Sequence, residues 1–156
     1  MVRRHASPSR PGSPGGTGGW AGSEGAAAAL PCPGGKRMDS AITMTAESDC
    51  LVCAAGTFCP VGSEVETPCA PGTFNPTARQ ETCIGCGAGT FQQAAGATTC
   101  VACTPGYYCE AGTSEPFPCP IGRFGSESGL QMMAACAACP GALLPNMAQT
   151  KCTTCD

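Results

Sequence analysis

The sequence has little from which an ordinary core could be built. Aromatic residues make up 5% of its 156 positions and charged residues 12%. There is one histidine, His5, and no apolar run approaches the ~18 residues of a membrane-crossing helix. Each scarcity closes a class of function. Without a second histidine outside the first few residues, a Ser/His/Asp or Cys/His catalytic set cannot be assembled. From Cys50 onward the basic residues are Arg79, Arg123 and Lys151, against Glu64, Glu66, Glu81, Glu110, Glu115, Glu127 and Asp156. Nucleic acid and anionic membrane both require clustered Lys and Arg, so neither is expected as a partner, and no membrane contact by this segment is expected. No Walker or dinucleotide glycine motif follows a strand-like run; the GG pairs between residues 15 and 35 are low-complexity. Asn75-Pro76-Thr77 fails as a glycosylation sequon because of its proline. The expectation is a protein that is not an enzyme, with no catalytic residues, no cofactor and no metal.

What is plentiful is glycine, proline and cysteine: 22, 15 and 15 residues. Glycine gives up the most backbone freedom on folding, so a chain of this composition is costly to order without covalent help. Cysteine at this density is the mark of small secreted scaffolds, in which bridges replace a hydrophobic core. Residues 1–31 are Gly/Ser/Pro/Ala-rich and non-periodic, with Trp20 as their one large apolar side chain, and read as a disordered tail. Ser7-Pro8 and Ser13-Pro14 are the dipeptides expected by chance in such a tail. Arg3 and Arg4 precede an apolar run of just Ala26–Leu30, too short and too late for a signal peptide. An extracellular reading therefore implies a fragment or an incomplete gene model.

From Cys50 the chain repeats. Cys50, Cys53, Cys59 and Cys69 recur as Cys100, Cys103, Cys109 and Cys119, and CAAGTFCPVGSEVETPC is matched by CTPGYYCEAGTSEPFPC. Cys83 and Cys86 correspond to Cys136 and Cys139, and Cys152 and Cys155 open a third copy that is not completed. Within this long period lies a shorter one, a cysteine followed at +3 by Gly and at +5 by an aromatic. It occurs at Cys53-Gly56-Phe58, Cys69-Gly72-Phe74, Cys86-Gly89-Phe91, Cys103-Gly106-Tyr108 and Cys119-Gly122-Phe124. In the Cys139 copy Leu143 or Leu144 stands for the aromatic. A Pro or Ala then Gly after the cysteine predicts a tight turn with the glycine at φ > 0. The aromatic two residues on is expected to be extended and to pack over a disulfide. Each unit is then a small hairpin that touches just its immediate neighbours in a stack. Helical periodicity is absent beyond one turn within Glu127–Ala135. The fold class is small and disulfide-rich: an elongated array of short β-hairpin and turn units with little regular secondary structure. The expected domains are the tail 1–31, a linker or degenerate first unit 32–49, and Cys-rich repeats 50–156 with a truncated third copy.

At these residues the chain resembles the cysteine-rich repeats of ephrin-receptor-like and growth-factor-receptor-like ectodomains. Their mark is C-x-x-G-x-[FY], a variable stretch ending in Cys, then C-x-x-C. Cys69-Ala-Pro-Gly-Thr-Phe74 … Cys83-Ile-Gly-Cys86 and Cys86-Gly-Ala-Gly-Thr-Phe91 … Cys100-Val-Ala-Cys103 fit closely, and Cys119-Pro-Ile-Gly-Arg-Phe124 … Cys136-Ala-Ala-Cys139 fits with a longer loop. The resemblance covers roughly residues 50–155 and implies an extended extracellular array, distantly akin to tumour necrosis factor receptor modules. It does not imply a kinase, and its motif residues are structural. It also suggests sequential bridging, 32–50, 53–59, 69–83, 86–100, 103–109, 119–136 and 139–152. In a crossed alternative, Cys59 and Cys109 pair with Cys69 and Cys119. The odd count leaves Cys155 unpaired or intermolecular; the rival is that Cys32 is the free one.

The C-x-x-C pairs also admit zinc. Cys83-x2-Cys86-x13-Cys100-x2-Cys103 has zinc-ribbon spacing. Each four-thiolate site would carry a net charge of about −2 in a segment already acidic, and would strand Cys59, Cys69, Cys109 and Cys119. A redox C-x-x-C needs a βαβ scaffold that Gly/Pro-rich turns do not supply. Glu64, Glu66 and Glu115 read as solvated loop charge, since no D-x-D-x-D-G calcium loop is present. The leading reading is a non-catalytic extracellular or cell-surface segment acting as structural spacer and protein-interaction or adhesion surface. Its expected partners are proteins or neighbouring repeats of a longer chain. The alternative is an intracellular zinc-binding adaptor.

Overall fold

The computed structural model describes residues 31–42, 44–141 and 143–153. The disordered-tail expectation, with His5, Ser7, Ser13 and Trp20, falls almost wholly on residues 1–30, outside those described, and so does Cys155.

Seven units follow one another, led by Cys32, Cys53, Cys69, Cys86, Cys103, Cys119 and Cys139. Each contributes one antiparallel pair of two-residue strands. The pairs are β1 (Lys36–Arg37) with β2 (Leu51–Val52), β3 (Thr57–Phe58) with β4 (Thr67–Pro68), and β5 (Thr73–Phe74) with β6 (Ile84–Gly85). They continue as β7 (Thr90–Phe91) with β8 (Val101–Ala102), β9 (Tyr107–Tyr108) with β10 (Phe117–Pro118), β11 (Arg123–Phe124) with β12 (Ala137–Ala138), and β13 (Leu144–Pro145) with β14 (Cys152–Thr153). Residues 32–52 thus form a hairpin of the same kind as the rest. Helix is confined, among the described residues, to single 3-10 turns at Glu47–Asp49 and Met133–Ala135.

Two local devices bend the chain after each leading cysteine. The glycine at +3, or at +2 after Cys139, has positive φ, for example +84° at Gly72, +88° at Gly106 and +61° at Gly141. A side chain there would cost about 1–2 kcal/mol in the left-handed region. Where the strand opens with threonine, its hydroxyl donates back to the carbonyl three residues earlier, from Thr57, Thr73 and Thr90 to Ala54, Ala70 and Gly87 at 2.8, 2.7 and 2.7 Å.

Stacking runs through the backbone. The turn glycine's N–H donates to the next unit, from Gly56 to the Asn75 carbonyl (2.9 Å), from Gly72 to Gln92 (2.7 Å) and from Gly89 to Cys109 (2.7 Å). Its carbonyl accepts from the next leading cysteine, as Gly56 does from Cys69 and Gly72 from Cys86, both at 2.9 Å. A loop N–H of the following unit returns to the leading cysteine's carbonyl: Arg79 to Cys53 (2.9 Å), Gly96 to Cys69 (2.8 Å), Gly112 to Cys86 (2.8 Å).

One expectation needs correction. Units do not touch just their immediate neighbours, because the turn glycines of the first five units also lie against the loop two units on. A Cβ built on Gly56, Gly72, Gly89 or Gly106 would collide with the carbonyl oxygen of Gly96, Gly112, Gly129 or Ala148 respectively. The cause is the turn itself. A left-handed glycine has no side chain on that face, so backbone from the second neighbour closes over it.

The core is sulfur. Cys32, Cys53, Cys59, Cys69, Cys86, Cys103, Cys109, Cys119 and Cys136 are all at most 2% exposed. Apart from Cys50, the other buried side chains described are Met38, Met44 and Asn75. The motif aromatics Phe58, Phe74, Phe91, Tyr108 and Phe124 are half-buried and sit in strands, with the fully buried place going to the residue after Phe58, Phe74 and Tyr108. In the Cys139 unit the strand takes Leu144 with Pro145.

Candidate functional site: a cystine spine with an apolar outer ladder

The structure pairs Cys32 with Cys50, Cys53 with Cys59, Cys69 with Cys83, Cys86 with Cys100, Cys103 with Cys109, Cys119 with Cys136 and Cys139 with Cys152. Each leading cysteine thus meets the next cysteine along the chain. The Cα–Cα distances run from 5.6 Å (139–152) to 6.4 Å (53–59), inside the ~4.4–6.8 Å that a disulfide spans. The cysteines with zinc-ribbon spacing are dispersed. Cys83 is bonded to Cys69, Cys86 to Cys100 and Cys103 to Cys109, each in a different unit.

Outside the Cys139 unit, where Cys152 itself opens the second strand, the bridges take two forms. In the Cys32, Cys69, Cys86 and Cys119 units the partner stands immediately before the hairpin's second strand, at Cys50, Cys83, Cys100 and Cys136. In the Cys53 and Cys103 units it stands immediately after the first strand, at Cys59 and Cys109. There the place before the second strand holds Glu66 or Pro116. Glu66, read from sequence as solvated charge, accepts hydrogen bonds from the Ala54 N–H (3.0 Å) and the Thr57 hydroxyl (3.4 Å). It ties its loop to the residue beside Cys53. Glu64 and Glu115 are not joined to it by any described contact.

Asn75 escaped the sequence reading, which treated it as a failed sequon. It is fully buried, and its Nδ2 donates to the Thr57 carbonyl (2.9 Å) of the preceding unit and to the Thr82 carbonyl (3.0 Å) of its own. The signal lay in alignment of the units: Asn75 occupies the column that holds Cys59 and Cys109.

The outward side of the hairpins is apolar. Cross-strand partners are Phe74 with Ile84, Phe91 with Val101, and Tyr108 with Phe117, the last with ring centroids 5.5 Å apart. Leu51, Ile84, Val101 and Phe117 begin the second strands of their hairpins and remain 38, 48, 51 and 43% exposed. The cysteines from Cys32 to Cys152 are held as disulfides.

One ionisable group has a distinct environment. Asp49 accepts from the backbone N–H groups of Thr45 (2.8 Å) and Ala46 (3.0 Å) and from the Thr45 hydroxyl (3.1 Å). These bonds hold its carboxyl below the usual range, the Thr45 N–H first among them. It fixes the 3-10 turn that leads into Cys50. This is a structural role.

Among known proteins, the family described as tyrosine-protein kinase ephrin type A/B receptor-like matches residues 72–108. That span runs from the Gly72 turn through the Cys83/Cys86 and Cys100/Cys103 pairs to Tyr108. No curated protein matches the chain. No helix among the described residues is long and apolar enough to cross a membrane. Disulfides on this scale fit an oxidising, extracellular setting. Residues 72–108 thus carry a cysteine-rich, disulfide-bonded repeat of the ephrin-receptor-like kind, a receptor-ectodomain type of domain that is generally non-catalytic.

Proposed function

We propose that this segment is a structural spacer of the extracellular space that also presents a protein-interaction surface along its length. The observation that carries the reading is the division of labour between cysteine and the other apolar residues. Cystine occupies the interior, and Leu51, Ile84, Val101 and Phe117 are left about half exposed at matching places on four hairpins, the last three of them consecutive. A globular domain of this size would spend such side chains on its core. Here they form a repeated apolar display, which on a soluble protein marks a surface for a partner. The acidic loops around it favour a protein with an apolar patch bordered by basic residues over nucleic acid or an anionic bilayer. The backbone links between units make length a function of unit number, which is the property a spacer requires.

Deletion of residues 53–102 tests the spacer role, because it joins Val52 to Cys103 and removes one whole long repeat while leaving every remaining bridge intact. With dyes at residues 31 and 151, both exposed, the deletion is expected to shorten the separation and leave the remaining disulfides in place. An unchanged separation would contradict the spacer reading. The interaction role is tested separately by Ile84→Glu/Val101→Glu, expected to abolish capture of surface proteins from intact cells without altering the disulfide map.

A further inference from the structure

Counted from the leading cysteine, the sixth residue on is Met38, Cys59, Asn75, Gln92, Cys109 and Gly125 in the first six units. The chemistry differs and the place is the same. Cys59 and Cys109 are bonded to the leading cysteine of their own unit. Asn75 Nδ2 lies 3.6 Å from the Sγ of Cys83, the sulfur bonded to leading Cys69. Met38 is buried in one cluster with Cys32 and Cys50. A Cβ built on Gly125 would stand 3.3 Å from the Sγ of leading Cys119. The side chains reach toward the same backbone as well. Cys59 Sγ, Asn75 Nδ2 and Gln92 Nε2 approach the carbonyls of Val65 (3.9 Å), Thr82 (3.0 Å) and Thr99 (2.7 Å). In each unit that carbonyl belongs to the residue just ahead of the position before the second strand.

That position is the other bridge site. It holds Cys83 and Cys100 where the sixth residue is an amide, and Glu66 or Pro116 where the sixth residue is cysteine. Both sites place a Cα within disulfide reach of the leading cysteine: 6.4 and 5.9 Å for 53–59 and 103–109, 5.7 and 5.8 Å for 69–83 and 86–100. We infer that each unit carries two half-cystine positions facing one leading cysteine, and that Asn75 and Gln92 are positioning residues which assign the bridge to the second. An amide cannot form the bond itself. Its N–H instead holds the carbonyl ahead of Cys83 or Cys100, which brings that sulfur over the leading one. The repeat can therefore exchange a long bridged loop for a short one without changing its stacking, because the backbone at the sixth residue bonds the adjoining units in either case. Cys59, Asn75, Gln92 and Cys109 all donate their N–H to the following loop, at 2.9, 3.1, 3.4 and 2.9 Å.

The test is oxidative refolding of the full chain in a glutathione buffer, followed by peptide mapping without reduction. In Asn75→Cys/Cys83→Thr, the thiol of Cys69 and the thiol introduced at position 75 each lose a hydrogen as the S–S bond forms. Oxidised glutathione takes both electrons and becomes two reduced molecules. The expected product is a peptide pair linked between positions 69 and 75, with the other bridges unchanged. The reverse exchange, Cys59→Asn/Glu66→Cys, is expected to link Cys53 to the cysteine introduced at position 66. In the single variant Asn75→Cys, the thiolate introduced at position 75 is placed to attack the Cys69 sulfur and release Cys83 as the new thiolate. A mixture of 69–75 and 69–83 bridges is then expected. Thr77→Cys, on the exposed loop, is expected to give 69–83 alone. The shifted bridge in either double variant supports the inference. Its absence from both double variants and from Asn75→Cys, or equal exchange in Thr77→Cys, overturns it.

Discussion

At the scale of single residues, the load falls on side chains that replace a bridge or prepare one. Asn75 is the clearest. Its Nδ2 serves two carbonyls in different units from a fully buried site. Asn75→Ala is expected to leave both without a donor and to destabilise the array by about 2 kcal/mol, within the 1–3 kcal/mol usual for an orphaned buried group. Asn75→Asp should cost more at neutral pH, since an ionised carboxylate has no N–H to give and would be buried against carbonyl oxygens. Chemical denaturation of the oxidised protein measures both, and equal stability of the three proteins would contradict this role. Asp49 makes a pH prediction. Its carboxyl is held low in the folded chain, so the stabilisation it gives is present above the ordinary carboxylate pKa and is lost as pH falls through the depressed value. Amide exchange at Thr45 and Ala46, corrected for the intrinsic pH effect, should therefore lose protection in acid, and Asp49→Asn should remove that dependence. Unchanged protection in both would show that the carboxylate does not hold the turn.

At the scale of the element, C-x-x-G-x-aromatic could be read from sequence because it is local. A positive-φ glycine at a fixed offset from a cysteine dictates a turn, and the turn dictates where the first strand starts. The C-x-x-C spacing is legible for the same reason: two residues of second strand fit between its cysteines, as Ile84–Gly85 do between Cys83 and Cys86. The second-neighbour contact was not legible, since it follows from how successive units wind and no short spacing records it. Arg79 shows the difficulty. It takes φ +70° where neighbouring units place Gly96 (+72°) and Gly112 (+75°), so the glycine that would have marked the position is missing. Asn75 was hidden for a different reason, because an amide and a half-cystine share no sequence signal until the units are aligned. The contact itself can be tested with glycines of equal φ. Gly72 (+84°) lies against the Gly112 carbonyl, while Gly122 (+81°) has nothing within 4 Å of a built Cβ. Both Gly→Ala changes meet the left-handed penalty of about 1–2 kcal/mol. Gly72→Ala should cost clearly more, because backbone from the Cys103 unit must also move. Equal losses in thermal unfolding would mean that the second neighbour adds nothing.

At the scale of the whole molecule, order rests on covalent bonds more than on burial. The described core consists of cystine with Met38, Met44 and Asn75, and the strands are two residues long. An isolated two-stranded hairpin is marginal even when longer. A bridge such as Cys86–Cys100, with a sequence separation of 14, contributes about 3 kcal/mol in the chain-entropy picture. Without such bridges, the ordering cost of so many glycines exceeds what the remaining apolar contacts return. Oxidised protein should scatter X-rays as an elongated particle and, after full reduction, as an expanded chain with no cooperative thermal transition. A cooperative transition that survives reduction would show that burial alone suffices.

All of this depends on the cysteines from Cys32 to Cys152 forming a continuous run of bridges and not serving as metal ligands. Alkylation in denaturant without reductant, with the labelled positions mapped and zinc measured on the same sample, separates the two states. The expected result is no label on any cysteine from Cys32 to Cys152 and no stoichiometric zinc. Label across Cys83, Cys86, Cys100 and Cys103, together with zinc in proportion, would contradict it.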